Sequence, residues 1–146
     1  MRIAFVDRAG GPLRAPRFRP FLRRLADAAG APRGNLTVLF CGDDEIAELN
    51  ERWRSKRGPT DVLSFPGGGS SREAHLGDVA ISVPTAARAA RRARRSVERE
   101  IELLLAHGLL HILGYDHDTD DGTMLRLQAR IVREARGKVR GVPRRR

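Results

Sequence analysis

Three of the four histidines of the chain lie in one short segment, HGLLHILGYDH, at positions 107–117. His107 and His111 are four residues apart, so on a helix their side chains project from one face about one turn apart. Gly114 permits the chain to turn back after that helix, which lets His117 approach the same point. Neutral imidazoles suit zinc, and three protein ligands leave a fourth position for water. We therefore predict a catalytic zinc site formed by His107, His111 and His117.

A carboxylate precedes the last of these histidines. Metal-bound imidazoles usually donate their second N–H to a carboxylate or carbonyl, which fixes the orientation of the ring. Asp116 is placed to orient a histidine in this way, and it is also a candidate general base. We favour the orienting role for Asp116.

The residue after the first histidine argues against one familiar chemistry. The spacing matches the zinc-protease motif H-E-x-x-H-x-x-G-x-x-H, in which the glutamate takes a proton from the zinc-bound water. Position 108 is glycine in this chain. The protease mechanism is therefore unsupported, and the proton acceptor stays unassigned.

Alternating strands and helices must position these residues. Period-two or short apolar runs predict strands at 2–6, 36–40, 62–65 and 77–83. Helical spacing and capping residues predict five helices, at about 18–29, 44–53, 84–95, 97–113 and 121–136. His107 and His111 fall on the fourth helix, and Gly114 follows its end as a left-handed cap would.

Length and composition set the outer limits. A chain of 146 residues is typical of one domain. The longest apolar run, near 101–106, is far shorter than the roughly 20 residues of a membrane helix, and the N-terminus does not resemble a secretion signal. Cys41 has no partner for an internal disulfide, which fits a reducing compartment. We predict one cytoplasmic domain over residues 1–146, with a frayed basic tail from about residue 137.

The strong positive charge favours a polyanionic partner. The chain has 28 lysine and arginine residues against 18 acidic residues, a formal net charge of +10. Clustered cations bind phosphates, but net charge alone names no mechanism. Six arginines on and after the third predicted helix form either an RNA-binding track or a solvated face: Arg88, Arg91, Arg92, Arg94, Arg95 and Arg99.

Three segments together resemble one protein family. The histidine segment is similar to H-G-x-L-H-x-x-G-Y-D-H of the YbeY endoribonucleases. The segments LNERWR at 49–54 and PTDVLSFP at 59–66 resemble a second family pattern, and LGDVAI at 76–81 resembles a third. The segments occur in the family's order, and the resemblance spans about residues 36–135.

The resemblance implies a fold, an activity and a role for one arginine. It implies an α+β fold with a small mixed four-stranded sheet, about five helices and a zincin-like metal helix. It implies one zinc ion on His107, His111 and His117, and cleavage of single-stranded RNA in 16S rRNA 3′-end maturation and ribosome quality control. Its functional arginine falls on Arg54, where a guanidinium would hold a phosphate. Trp53 could stack a base, but its helical face favours core packing.

Two other classes of function stay open from the sequence. One is a zinc-dependent, protease-like hydrolase, which the histidine spacing favours and Gly108 opposes. The other is a noncatalytic ribosome-associated factor that binds RNA through its basic surface. The sequence leaves open whether water or a ribose 2′-OH attacks the phosphate, and whether the protein forms oligomers.

Overall fold

The computed structural model describes residues 1–54, 58, 60–68, 74–116 and 121–139, with side chains up to 137. These residues form four strands: β1 (Arg2–Asp7), β2 (Asn35–Cys41), β3 (Val62–Pro66) and β4 (His75–Ser82). They also form five α-helices: α1 (Arg19–Ala29), α2 (Asp43–Arg54), α3 (Val83–Ala93), α4 (Val97–Ile112) and α5 (Thr123–Val139). A short 3-10 helix, Ala15–Phe18, precedes α1. The predicted α+β fold with a small mixed sheet is confirmed.

The sheet has the order β1-β2-β4-β3. The first three strands in this order are parallel, and β3 runs antiparallel to β4 at the edge. In that antiparallel pair, Ser64 lies opposite Val79. Strand β3 is therefore an edge strand, paired with β4 on one side. Its alternate side chains point to the two opposite faces of the sheet.

Most of the core lies on one face of the sheet. Alternate strand residues point to opposite faces, and one set packs under α1, α4 and α5. The strand side chains on this face are Ile3, Phe5, Leu36, Val38, Phe40, Val79 and Ile81. Helix α4 packs against both β3 and β4 and also contacts α1, α3 and α5, so it is the central helix of this layer.

The second face of the sheet carries a smaller apolar cluster. Cys41, Leu63 and Ala80 pack there with Ile46 of α2. Helix α2 contacts β4 and α3, so a single helix covers this face in the described part of the chain. Coverage by one helix leaves part of the sheet surface open beside it.

Local signals set most of the helix ends. The Ser96 hydroxyl accepts a hydrogen bond from the Arg99 backbone N–H, 3.1 Å away, and caps α4. Gly30 ends α1 with a left-handed φ of 67°. Val83 was predicted to be in a strand but starts α3, because Pro84 occupies the first helical turn.

Several element boundaries differ by one to three residues from those predicted. Strand β4 begins at His75, two residues before the predicted start, and pairs there with Asn35 of β2. Helix α5 runs to Val139, beyond the predicted end at 136. The basic tail was predicted to fray from about 137, and its residues 140–146 lie outside the described residues. The single-domain assignment stays a prediction.

None of the helices in the described ranges is long and apolar enough to span a membrane.

Candidate active site

Helix α4 presents His107 and His111 from one face, as their spacing predicts. The two Nε2 atoms are 3.1 Å apart, and the rings meet edge to face with centroids 4.6 Å apart. Both side chains are partly buried. The two nitrogens thus point at a common position.

A second helix fixes the orientation of His107. Its Nδ1 lies 3.0 Å from Oε1 of Gln128 on α5. An amide oxygen only accepts hydrogen bonds, so this contact favours the tautomer of His107 in which Nδ1 carries the proton. In the neutral imidazole this leaves the lone pair on Nε2, the atom that faces His111.

This arrangement fits a pair of zinc ligands. Two unprotonated Nε2 atoms in contact repel unless a proton or a cation lies between them. Zinc–nitrogen bonds of about 2.0–2.1 Å in a tetrahedral site place two ligand nitrogens about 3.3 Å apart. The observed 3.1 Å between the Nε2 atoms of His107 and His111 is close to that value. The donor set and its spacing therefore suit zinc.

The chain turns back directly after α4. Gly114 has a φ of 102°, in the left-handed region, and its N–H donates to the His111 carbonyl. The Tyr115 N–H donates to the Leu110 carbonyl, which completes a Schellman motif. The predicted turn at Gly114 is confirmed.

The remaining predicted ligand follows this turn. His117 lies outside the described residues, so its role as a zinc ligand stays a prediction. Within the described ranges, no three His, Cys, Asp or Glu side chains converge on one metal position. Asp116 is exposed and is the last described residue before position 121. Its orienting role also stays a prediction. The partner described for His107 is Gln128.

Arg54 lines the same cavity as the histidine pair. This cavity, which we call the histidine cavity, has a volume of about 370 Å³ and straddles edge strand β3. Its described lining comes from α2, from β3 and the residue two before it, and from α4: Asn50, Arg54, Thr60, Val62, Leu63, Ser64, His107 and His111. The Arg54 guanidinium thus faces the same cavity as the imidazoles of His107 and His111, although at least 53 residues separate the arginine from either histidine.

Ser64 joins the two sides of the histidine cavity. Its backbone carbonyl accepts a hydrogen bond from Nη2 of Arg54. Its hydroxyl donates to the Gly108 carbonyl on α4, 3.2 Å away. Ser64 is only 6% exposed, so these bonds form where water competes weakly. This residue holds the arginine of α2 in register with the histidine helix.

Gly108 lies where α4 packs closely against the sheet. A Cβ atom there would be 2.8 Å from Cγ1 of Val79 and 3.1 Å from the Ser64 hydroxyl oxygen. The position therefore has no room for any side chain, and a glutamate would collide with β3 and β4. Close helix–sheet packing gives a physical reason for the glycine that distinguishes this segment from the protease motif.

Some features of the site differ from the sequence prediction or were absent from it. Trp53 was expected to pack in the core, but 62% of it is exposed, so that expectation is wrong. Gln128 was not predicted, because nothing in the local pattern of α5 indicates a contact with a histidine 21 residues away. Ser64 lies within a quoted segment, yet only the strand pairing shows that it links two helices.

Comparisons with known proteins agree with this architecture. A sequence profile of the family described as Endoribonuclease YbeY matches residues 17–136. The chain is 45% identical over 125 residues to an Endoribonuclease YbeY of Solibacter usitatus, which covers 84% of this chain and 80% of that protein. It is 41% identical over 130 residues to the Endoribonuclease YbeY of Thermobifida fusca, covering 83% and 84% of the two chains.

A solved structure extends the likeness to the fold. The solution structure of TM1509 from Thermotoga maritima superposes with a TM-score of 0.67 at 26% identity, covering 99% of both chains. The profile match alone spans more than half of the chain. The chain therefore belongs to the YbeY endoribonuclease family.

Proposed function

We propose that this protein is a zinc-dependent endoribonuclease that cuts single-stranded RNA and acts in 16S rRNA 3′-end maturation and ribosome quality control. One observation carries the proposal: Arg54 and the paired histidines His107 and His111 line a single cavity. The arginine would bind the phosphate, and the histidine nitrogens would bind a metal ion. Both groups stabilise the charge that develops during phosphodiester cleavage.

Arg54 binds the scissile phosphate in this proposal. A guanidinium has five N–H donors, and its bond to the Ser64 carbonyl uses a single nitrogen, so the group keeps donors for a bidentate phosphate contact. The Arg54 Cζ atom also lies 5.5 Å from the centroid of the Phe65 ring. A contact of this kind helps to hold the guanidinium plane in a fixed orientation.

His107 and His111 hold the metal, with His117 as the third ligand. When bound, zinc supplies a Lewis acid for a phosphoryl oxygen and lowers the pKa of a coordinated water. Gln128 keeps the proton of His107 on Nδ1, so that Nε2 is ready to act as a ligand. Asp116 orients a second imidazole in this scheme.

The proton acceptor is not a carboxylate of the protease type. Among the described residues that line the histidine cavity, none is Asp or Glu. The helix position that carries the protease glutamate is filled by Gly108, packed against Val79. The chemical form of the RNA product ends identifies the attacking group. Attack by a ribose 2′-OH leaves a cyclic phosphate, and attack by water does not.

The positive charge of the chain and its family support the proposed substrate and compartment. A net charge of +10 favours a polyanion, and an rRNA in the cytoplasm is a polyanion of this kind. Single-stranded RNA exposes both its phosphates and its bases, so both can contact residues that line the histidine cavity. We therefore place the ribosome and its precursor rRNA among the partners.

The experiment pairs metal content with RNA cleavage. The purified protein is analysed for bound metal, then incubated with a single-stranded RNA carrying the 3′ extension of 16S rRNA and with the same sequence as a duplex. We expect about one zinc per chain, cleavage of the single strand only, loss of cleavage on chelation and recovery on adding zinc. His111→Ala should abolish zinc binding and cleavage together.

Three results would contradict the proposal. Purified protein without metal and without chelator-sensitive cleavage would overturn both the site and the activity. Peptide hydrolysis that His111→Ala removes would favour a protease-like hydrolase. Ribosome association that persists in Arg54→Glu, with no RNA cleavage by the wild type, would favour a noncatalytic factor.

A further inference from the structure

Trp53 is unusually exposed for a tryptophan on an amphipathic helix. It lies in the last turn of α2, and 62% of its surface is accessible, whereas Ile46 on the same helix is fully buried. Tryptophan is enriched at binding interfaces because its ring is apolar and its N–H is polar. Trp53 therefore marks a candidate ligand-binding surface.

Beside Trp53, the open part of the second sheet face forms a cleft. This sheet cleft has a volume of about 490 Å³, which is in the range of small-molecule sites. Its apolar wall comes from Val6, Leu39, Leu49 and Phe65, with Trp53 alongside. A flat aromatic ligand would find a stacking partner and apolar contacts in it.

The sheet cleft adjoins the histidine cavity through two pairs of consecutive residues. Trp53 lines the cleft and Arg54 lines the cavity; Phe65 lines the cleft and Ser64 lines the cavity. Successive strand residues point to opposite faces, and edge strand β3 contributes to the lining of both spaces, Ser64 to the cavity and Phe65 to the cleft. The Arg54 guanidinium lies 5.5 Å from the Phe65 ring centroid, beside this strand.

The polar groups of the cleft suit the edges of a nucleobase. Arg8, Thr37 and Asp78 lie among the apolar lining residues and offer both donors and acceptors. The Arg8 guanidinium is held by Glu45, with Nη2 and Oε2 2.5 Å apart. A base, unlike an apolar peptide side chain, uses such groups as well as its ring face.

From this placement we infer that the sheet cleft binds an unpaired nucleobase of the RNA strand, stacked on Trp53, next to the phosphate at Arg54. The inference rests on the proposed function, since it assigns the cleft to the same substrate. A base and its phosphate are joined through one ribose, so a strand passing over the edge of β3 can present both groups to the two spaces. Single-strand preference follows, because a paired base must first be unpaired and unstacked, at a cost in free energy, before it enters the cleft.

Trp53 itself reports the interaction, because it is the only tryptophan of the chain. The purified protein, as isolated, is titrated with a short 2′-O-methyl oligoribonucleotide, which resists attack by its own 2′ groups. A second strand of equal length has abasic sites throughout and keeps the same phosphate charge. We expect the base-containing strand to quench the tryptophan fluorescence and to protect it from acrylamide, and the abasic strand to do neither.

Variants separate stacking from a structural role. Anisotropy of labelled RNA should show about tenfold weaker binding for Trp53→Ala and near-normal binding for Trp53→Phe, which keeps an aromatic face. Leu125→Ala is the matched control, since it removes another large exposed apolar side chain, on α5, and should bind as the wild type does. Thermal unfolding of each variant checks that the fold is intact.

The outcomes of this experiment are independent of those for cleavage. Equal quenching by both strands, or unchanged affinity in Trp53→Ala, would overturn the base site even if zinc-dependent cleavage is found. Base-dependent quenching without any cleavage would support the base site and contradict the nuclease. Binding of a ribosomal protein that Trp53→Ala weakens, without base-dependent quenching, would assign the cleft to a protein segment and overturn the inference.

Discussion

The imidazole Nδ1 of His107 on α4 donates a hydrogen bond to Oε1 of Gln128 on α5, and the two atoms are 3.0 Å apart. The bond fixes both the tautomer and the ring plane of a residue that faces His111. A metal ligand held in this way needs little rearrangement when the ion binds. The last helix of the described chain thus contributes to the site although it does not line the histidine cavity.

Replacing Gln128 tests this contribution directly. We expect Gln128→Leu to weaken zinc binding about 10- to 100-fold, because the Nδ1 donor loses its acceptor. Gln128→Glu should restore affinity, since a carboxylate also accepts the bond. Competition with a chromogenic chelator measures the affinity, with Arg130→Ala on the same helix as the control. Wild-type affinity in Gln128→Leu would show that the bond does not position the ligand.

Arg54 provides a second test, which separates its charge from its shape. We expect Arg54→Lys to lower kcat for RNA cleavage about 100-fold or more, because an ammonium cannot form the bidentate phosphate contact. Zinc content should be unchanged. Arg52→Ala is the matched control, an exposed arginine two residues earlier whose acidic neighbour among the described residues is Glu48, at 4.0 Å. Near-normal kcat in Arg54→Lys would indicate nonspecific RNA attraction by charge in place of phosphate positioning.

Gly108 gives a prediction whose sign depends on packing. Alanine in an exposed helix interior stabilises by about 1 kcal/mol relative to glycine. At position 108 the added Cβ would lie 2.8 Å from Val79, so we expect Gly108→Ala to lower the free energy of unfolding by about 1–3 kcal/mol. Urea denaturation measures the change. Val79→Ala should recover part of the loss in the double variant, and additive effects would contradict the contact.

Asp43 links the starts of α2 and α3 and makes stability depend on pH. Hydrogen bonds from Ser82, Thr85 and Arg88 lower the pKa of Asp43 from 3.8 to about 2. Because the folded-state pKa lies below the unfolded one, the carboxylate stabilises the fold above about pH 4, and this contribution disappears as pH falls through about 2. The side chain is 31% exposed, and screening by solvent reduces the effect.

We expect Asp43→Asn to lower the free energy of unfolding by about 1 kcal/mol at pH 7. The difference from the wild type should shrink as the pH is lowered below about 4. Urea denaturation at several pH values measures it. Asp44→Asn, at the exposed neighbouring position, is the control for removing one acidic charge from the first turn. A difference that stays constant down to pH 3 would show that the hydrogen bonds do not favour the ionised form.

Cys41 should be chemically silent in the folded protein. Burial raises the pKa of its thiol to about 12, and the side chain is fully buried. Only about one thiol in ten thousand would be ionised at pH 8, and the thiolate is the reactive form. We expect no reaction with Ellman's reagent in the native state and one reacting thiol per chain in urea. Rapid stoichiometric reaction of native protein would contradict this burial.

Local sequence signals predicted most of the helices and strands, because the ends of these elements depend on residues that are close together in the chain. The Ser96 cap, the Gly30 terminus and the turn at Gly114 each depend on residues within one helical turn, and all three occur where expected. The spacing of His107 and His111 likewise fixes their common face. The zinc ligand set as a whole stays a prediction, since His117 lies outside the described residues.

The errors and omissions concern relationships between elements. Helical spacing correctly groups Trp53 with Ile46 on one face of α2, but it does not tell how far the sheet extends beneath that face. The last turn of α2 lies beside the open cleft, so Trp53 is exposed. The bonds from Gln128 to His107 and from Arg54 to Ser64 join different elements, and no spacing within one element encodes them.

The antiparallel pairing of β3 has a consequence for which sequence changes the protein tolerates. Ser64 lies opposite Val79, and that register turns its side chain toward Gly108 and the ring of Phe65 toward the sheet cleft. Inserting or deleting one residue within β3 would exchange the two faces and bring an aromatic ring against α4. Length changes should therefore accumulate in the loops that flank β3, whereas the strand itself varies by substitution alone.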